Sequence, residues 1–267
     1  MIMKNGYAVW RILVLVLIGG AMWVSPQAFA ETLVPYENFI TTGEAKISDD
    51  SVIQLTDKRT FISGGYWSQS SVDMTGVLEI EFEFCMSDGI GLPDLGKGAD
   101  GIMVNFAPTL PQTSGLGEEM GFYGKGAWGI EFDTWYNDHR GDMKGNHIAV
   151  IQDSVDNHLK MVDGGESNDG KWHTVKINYE NNTVAVYYDG KLVLDYSGVH
   201  KFDSAYIGIT AATGSYVQNH LIKNVKVSVP EDESLLGCNV ELSALLLTFA
   251  VSFLALLLRR PAMKKRN

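Results

Sequence analysis

The chain has 267 residues, with 32 acidic against 21 basic side chains and a net charge of −11. Residues 31–230 alone carry 28 acidic and 14 basic residues, a balance that argues against binding the phosphate backbone of nucleic acids. Only Cys85 and Cys238 are present, so no disulfide framework is expected and the central segment must be held by an apolar core.

Residues 1–30 read as a secretory signal peptide. Lys4 and Arg11 precede the apolar run Ile12 to Val24, and Ala28-Phe29-Ala30 supplies a small-x-small cleavage pattern. The mature chain is then expected to begin at Glu31, the rival being an uncleaved anchor. Residues 31–230 form one expected domain, in which short alternating runs are separated by Gly, Asp and Asn clusters and no helical stripe stands out. Ile80, Phe82, Phe84 and Met86 alternate with Glu79, Glu81, Glu83 and Cys85, which predicts a half-buried antiparallel strand with its acids facing water. Further strands are expected at 102–106, 128–133, 148–153, 174–179, 206–212 and 221–229. Asp189-Gly190 between the β-rich runs 183–188 and 191–196 predicts a tight hairpin. So many strands imply an all-β antiparallel sandwich or barrel.

Residues 231–241 form an acidic spacer that ends in a Gly237-Cys238 motif. Residues 242–258 are apolar and long enough to be read as a transmembrane segment, and residues 259–267 form a basic tail with Arg259, Arg260, Lys264, Lys265 and Arg266. The positive-inside rule places that tail in the cytoplasm and the acidic domain outside, on the cell surface. The Gly-Cys, apolar, basic succession resembles the C-terminal sorting signals of some prokaryotic surface proteins, which are cut and re-attached to the envelope. A plain stop-transfer anchor reads equally well, so cleavage at Gly237-Cys238 stays open.

The chemistry concentrates between Gly129 and Ile148. Alternation puts Glu131 and Asp133 on one strand face, with Trp135 and Asn137 following, while Ile130 and Phe132 go to the other. A glycine-bearing loop, residues 138–145, would return Asp142 and His147 toward the two carboxylates. Glu131, Asp133, Asp142 and His147 suit a transition ion such as Mn²⁺. Asp133, Asp142, the Asn137 amide and a backbone carbonyl, that of Trp135, suit Ca²⁺. The other histidines, His139, His158, His173, His200 and His220, read as surface or loop residues, with His139 a substitute for His147 if the loop closes differently.

The run Glu-x-Asp-x-aromatic-x-Asn, then Asp, then His, resembles the metal-binding loop of the legume-type (L-type) lectins, the concanavalin A-like family. Ala99-Asp100-Gly101-Ile102, Phe106-Ala107-Pro108 and residues 207–214 follow in that family's order, over roughly residues 35–229. The resemblance implies a jelly-roll β-sandwich that binds carbohydrate without catalysis, through a pocket ordered by Ca²⁺ and a transition ion. It further implies that Asp100, after a cis peptide, accepts sugar hydroxyls. Asn137 would offer its NH₂ to the sugar and Trp135 its indole, although ordinary core packing is an equal reading for that ring. Gly117, favoured over Gly115, would donate a backbone N–H, and Gly214 and Ser215 belong to the loop that sets specificity. Glu118 and Glu119 stand where glycine is more usual, facing either basic or amino sugars or solvent. Oligomerisation stays open.

Two rivals remain. Glycoside hydrolases of the laminarinase type share the sandwich but need a second glutamate to act with the first. Trp135 and Tyr136 hold both places where it would stand. A noncatalytic adhesion or protein-binding domain is the other; it would need neither Asp100 nor Asn137.

Overall fold

The computed structural model describes residues 31–33, 38–48, 50–111 and 115–230. The signal-peptide, spacer, membrane-segment and basic-tail readings fall outside them. No helix among the described residues is long and apolar enough to cross a membrane.

The alternating runs become strands that pack in two layers. The back sheet has β3 (Lys46–Ile47), β4 (Ile53–Thr56), β7 (Leu78–Ile90), β12 (His173–Glu180), β13 (Thr183–Tyr188), β14 (Lys191–Ser197) and β16 (Val217–Pro230). They lie in the order β14-β13-β12-β7-β16-β4-β3, with β1 (Glu31–Leu33) also paired to β16. The front sheet has β2 (Phe39–Gly43), β5 (Ser63–Ser68), β8 (Gly101–Ala107), β9 (Trp128–Asp133), β10 (His147–Gln152), β11 (Ser154–Asp163) and β15 (Ser204–Ala212). Their order is β11-β10-β9-β8-β15-β5-β2, with β6 (Val72–Asp73) paired to β15. Every pairing is antiparallel, as the alternation requires.

Apolar residues facing inward from both sheets make the main core. Phe132 of β9 meets Phe84 at 5.3 Å, Phe82 at 6.4 Å and Tyr188 at 6.3 Å between ring centroids, tying the front sheet to the back. Phe132→Ala is expected to cost about 3–5 kcal/mol, because the surrounding rings belong to a sandwich that can collapse only partly into the hole. Urea titration checks this; a loss below about 1 kcal/mol would mean the two sheets repack freely.

The predicted hairpin forms at β13–β14, with Asp189 and Gly190 both at positive φ. On β7, Glu79, Glu81 and Glu83 point outward and pair with Lys176 and Lys223. Cys85, next in that alternation, is a buried free thiol. The segment 164–172 folds over that end of the sheet, where the Gly170 N–H donates to the Met86 carbonyl at 3.1 Å.

A smaller cluster lies on the other face of the front sheet. Trp67, Met103, Met120, Phe122, Ala149, Ile151 and Val155 meet there, covered by the connection from β8 to β9. That second core holds the connection carrying Gly117 against the sheet, and so fixes one wall of the site.

Candidate functional site

Four connections converge at one end of the front sheet: β4–β5, β7–β8, β8–β9 and β15–β16, joined by the segment after β9. Between them is a cavity of about 410 Å³ whose walls include Asp100, Gly117, Trp135, Asn137, Gly214 and Ser215. All six residues expected to face a sugar therefore line one concavity. Phe61, Leu116, Glu118 and Tyr216 line it too.

Asp100 sits at its floor. The Ala99–Asp100 peptide is cis, the Asp100 N–H donates to the Ala212 carbonyl at 3.0 Å, and the Thr134 N–H and hydroxyl both donate to the Asp100 carbonyl, at 2.9 and 2.8 Å. Its backbone is thus tied to β15 and to the end of β9. The side chain is 4% exposed, and its Oδ2 has no hydrogen-bond partner. Burial, and then the charge of Glu118, push this carboxyl up to about 7, against a lowering contribution from the Gly214 N–H. Gly117, at φ +59, and Gly214 approach that oxygen so closely that an added Cβ would lie 3.8 and 3.5 Å from it. Glycine at both places keeps the acceptor open to the cavity.

Beneath Asp100 runs a buried polar chain. Gln218 Nε2 donates to the Thr134 hydroxyl at 2.7 Å and lies 3.1 Å from His220 Nε2, while His220 Nδ1 meets the Thr56 hydroxyl at 2.6 Å. Burial alone pushes His220 down to about 3, so the ring is neutral. It is no surface or loop residue: sequence alternation at β16 does not reveal that the inward face carries a satisfied polar pair, Gln218 and His220, among apolar neighbours.

Two expectations for the cavity walls change, and of the two readings of Trp135 core packing is the one seen. The Asn137 NH₂ donates to Glu118 Oε2 at 2.9 Å instead of standing open. Glu118 is held as well by Arg140, and by His139 at 3.0 Å, so His139 serves this wall and does not replace His147. Arg140 is the first cause that draws the Glu118 carboxyl below its ordinary value. The Gly117 N–H donates inward, to the Thr213 carbonyl at 3.2 Å. Finally, Trp135 is only 7% exposed and stacks on Tyr216 with centroids 4.4 Å apart, so its ring backs the wall. The aromatic surface open to a ligand is that of Tyr216 and of Phe61, which is 60% exposed. Glu119 is exposed.

Behind this wall lie the candidate metal ligands. In the β9–β10 register Asp133 pairs with His147 and Glu131 with Ala149, so Glu131, Asp133 and His147 share the face opposite Phe132. The connecting segment turns at Gly141, φ +87, and brings Asp142 back over them. Backbone N–H groups orient two carboxylates: that of Trp135 donates to Asp133 Oδ1 at 2.6 Å, and that of Asn137 to Asp142 Oδ2 at 2.7 Å. Two overlapping donor groups result, Asp133, Asp142 and His147, and Glu131, His147 and His158, each with its atoms within 4.8 Å of one another.

Charges crowded in this way strain one another. Burial pushes Asp133 well above the usual carboxylate range, with Glu131 and Asp142 adding to it against the pull of His147. Burial opposes a charged His147, but Glu131, Asp133 and Asp142 outweigh it and push the imidazole up to about 9. Glu131 Oε1, His147 Nε2 and His158 Nε2 are buried with no hydrogen-bond partner outside the cluster, Glu131 Oε1 lying 3.3 Å from His147 Nε2 and 3.0 Å from His158 Nε2. Three ligand atoms that converge among carboxylates with no partner outside the cluster fit a divalent cation: a bound ion would neutralise the acids and occupy those lone pairs. His158, read from sequence as a surface or loop residue, belongs to this cluster, on the edge strand β11.

The fold is that of known lectins. The basic lectin of winged bean, in complex with Tn-antigen, superposes with a TM-score of 0.63 at 22% identity, over 76% of this chain and 98% of that one. The exoplasmic/lumenal domain of VIP36, in its Ca²⁺/Man₃GlcNAc-bound form, gives 0.60 at 18% identity, over 71% of this chain and 83% of that one. Lectin II of Ulex europaeus gives 0.60 at 19% identity, over 72% and 92%. No curated protein sequence matches the chain. The legume lectin domain model matches residues 27–235, most of the sequence. The chain belongs to the legume lectin family and is a noncatalytic, carbohydrate-binding lectin domain.

Proposed function

We propose that this lectin captures a sugar ring reversibly at Asp100, in a pocket whose far wall is stiffened by Ca²⁺ and a neighbouring transition ion. The observation that carries it is the buried, unpartnered Asp100 Oδ2 at the floor of an open cavity between two glycines. A carboxylate placed there accepts hydroxyl protons, and its desolvation leaves it without a competing partner until a polyol arrives. Phe61 and Tyr216 supply apolar faces for the C–H surface of the ring. Asp133 and Asp142, with the Asn137 amide and the Trp135 carbonyl, are the Ca²⁺ ligands of this reading, and Glu131 and His147 belong to the transition ion, with Asp142 between the two. Bound cations cancel the repulsion among the acids and so hold the segment 134–146, with Asn137, against the cavity. The winged bean and VIP36 structures, solved with glycans bound, support the same use of this fold.

In this reading the domain is exported by residues 1–30 and held at a cell surface by residues 231–267, so that many copies together strengthen a shallow, weak site. A glycan array probed with and without EDTA tests it. Binding that EDTA abolishes is the expected result, and metal-independent binding or no binding by ion-loaded protein would sink it. Phe61→Ala should weaken capture about 5- to 10-fold, the worth of one aromatic contact of about 1 kcal/mol, without moving the melting temperature. Titration calorimetry on an array hit decides that; unchanged affinity would leave Tyr216 as the stacking ring.

A further inference from the structure

The metal cluster contains one donor more than its sequence motif. His158 Nε2 lies 3.0 Å from Glu131 Oε1 and 3.7 Å from Asp142 Oδ1, and His147 Nε2 lies 3.3 and 4.0 Å from the same two oxygens. Donors about 2.1 Å from a common ion lie about 3.0 Å apart when adjacent in an octahedron and about 3.4 Å apart in a tetrahedron. The two separations from Glu131 are of that size; those from Asp142, 3.7 and 4.0 Å, are wider and would close as an ion draws the donors in. His158 is also nine-tenths buried, and its Nε2 has no hydrogen-bond partner outside the cluster.

The backbone explains how the ring arrives there. Along β10 and β11, Ala149 pairs with Met161 and Val150 with Lys160, but Ile151 pairs with His158, so a bulge takes up Leu159. Met161 packs with the front cluster, whereas Leu159 and Val162 pack with the main core. Regular alternation from Met161 would put residue 159 on the front face and residue 158 on the core side. The bulge inverts this and delivers His158 to the front, beside Glu131; re-aiming a side chain is a common use of such bulges.

We propose that His158 is a direct ligand of the transition ion, which is then held by Glu131, Asp142, His147 and His158. This rests on reading the cluster as a metal centre. A second imidazole takes a place that water would otherwise fill. Two imidazoles with two carboxylates favour Zn²⁺ over the Mn²⁺ expected from a one-histidine motif.

The test uses the purified chain, stripped of metal and equilibrated with equal Zn²⁺ and Mn²⁺ in excess Ca²⁺, with the retained ions counted by mass spectrometry. Wild type should keep about one Zn²⁺ per chain, and His158→Gln should bind it at least tenfold more weakly and lose the preference over Mn²⁺. Equal Zn²⁺ affinity and preference in both proteins overturns the role of His158 and leaves the metal centre standing. No transition ion in wild type overturns both. X-ray absorption on Zn²⁺-loaded wild type, which needs no variant, should count two imidazoles; a count of one overturns the proposal even if His158→Gln fails to fold.

Discussion

Asp100→Asn is expected to abolish sugar capture and, in the same molecule, to stabilise the metal-free fold above pH 7. Two hydroxyl hydrogen bonds to a carboxylate contribute about 1.5–3 kcal/mol each, so their loss should weaken binding more than about 100-fold. The gain in stability has a separate origin. The folded carboxyl lies near 7, against 3.8 for an unperturbed aspartate. Between those values the native state holds a proton that the unfolded chain has released, so stability falls as pH rises, and above pH 7 the buried charge costs about 4 kcal/mol. Asparagine never carries that charge. Urea denaturation in EDTA at pH 5 and pH 8 should therefore show a smaller loss across this window for the variant than for wild type, by about 3 kcal/mol, the rest of the fall lying below pH 5. Parallel pH profiles would mean that Asp100 is solvated in the folded state, and the account of an acceptor kept waiting by burial would fail with it.

Loading the cluster with cations should raise stability strongly, while EDTA should leave a folded, sugar-blind sandwich. Glu131, Asp133, Asp142, His147 and His158 all lie on the front face, and none belongs to the core between the sheets. The folded state can therefore survive without ions, carrying instead the strain seen in the raised Asp133 and His147. Ligands that bind only the native state stabilise it by about 4 kcal/mol at a thousand times their dissociation constant. For a domain of this size that is a rise of roughly 8–16 °C in melting temperature. Thermal scans with and without Ca²⁺ and Zn²⁺ measure it, with far-UV circular dichroism in EDTA reporting the sheet content. Collapse of the β signal on chelation would show that the ions hold the fold itself.

Much of this architecture could be read from the chain. The alternation of Ile80 to Met86, the Asp189-Gly190 turn, and Glu131 and Asp133 two residues apart are local patterns, and local patterns survive folding. What stayed hidden depends on distant segments meeting. Phe61 and Tyr216 lie more than 150 residues apart and share a wall only because β5 and β15 are neighbours. The Asn137 NH₂ was assigned to a ligand because nothing in the sequence says that Glu118 and Arg140 stand beside it. His158 was invisible for a sharper reason: a bulge shifts the face of a strand by one residue, and no alternation pattern on β11 announces where it falls.

The path of β16 bears on how such a molecule would work in place. Its first residue, Val217, follows Tyr216 in the cavity wall, and its last, Pro230, pairs with Glu31 at the opposite end of the back sheet. At 3.3 Å per residue this single strand spans roughly 40 Å. Glu31 and Pro230 thus both lie on the side facing away from the cavity. A tether gripping the chain after Pro230 would act like a stem, lifting the mouth of the cavity clear of whatever it is rooted in and turning it outward toward glycans on an opposing surface.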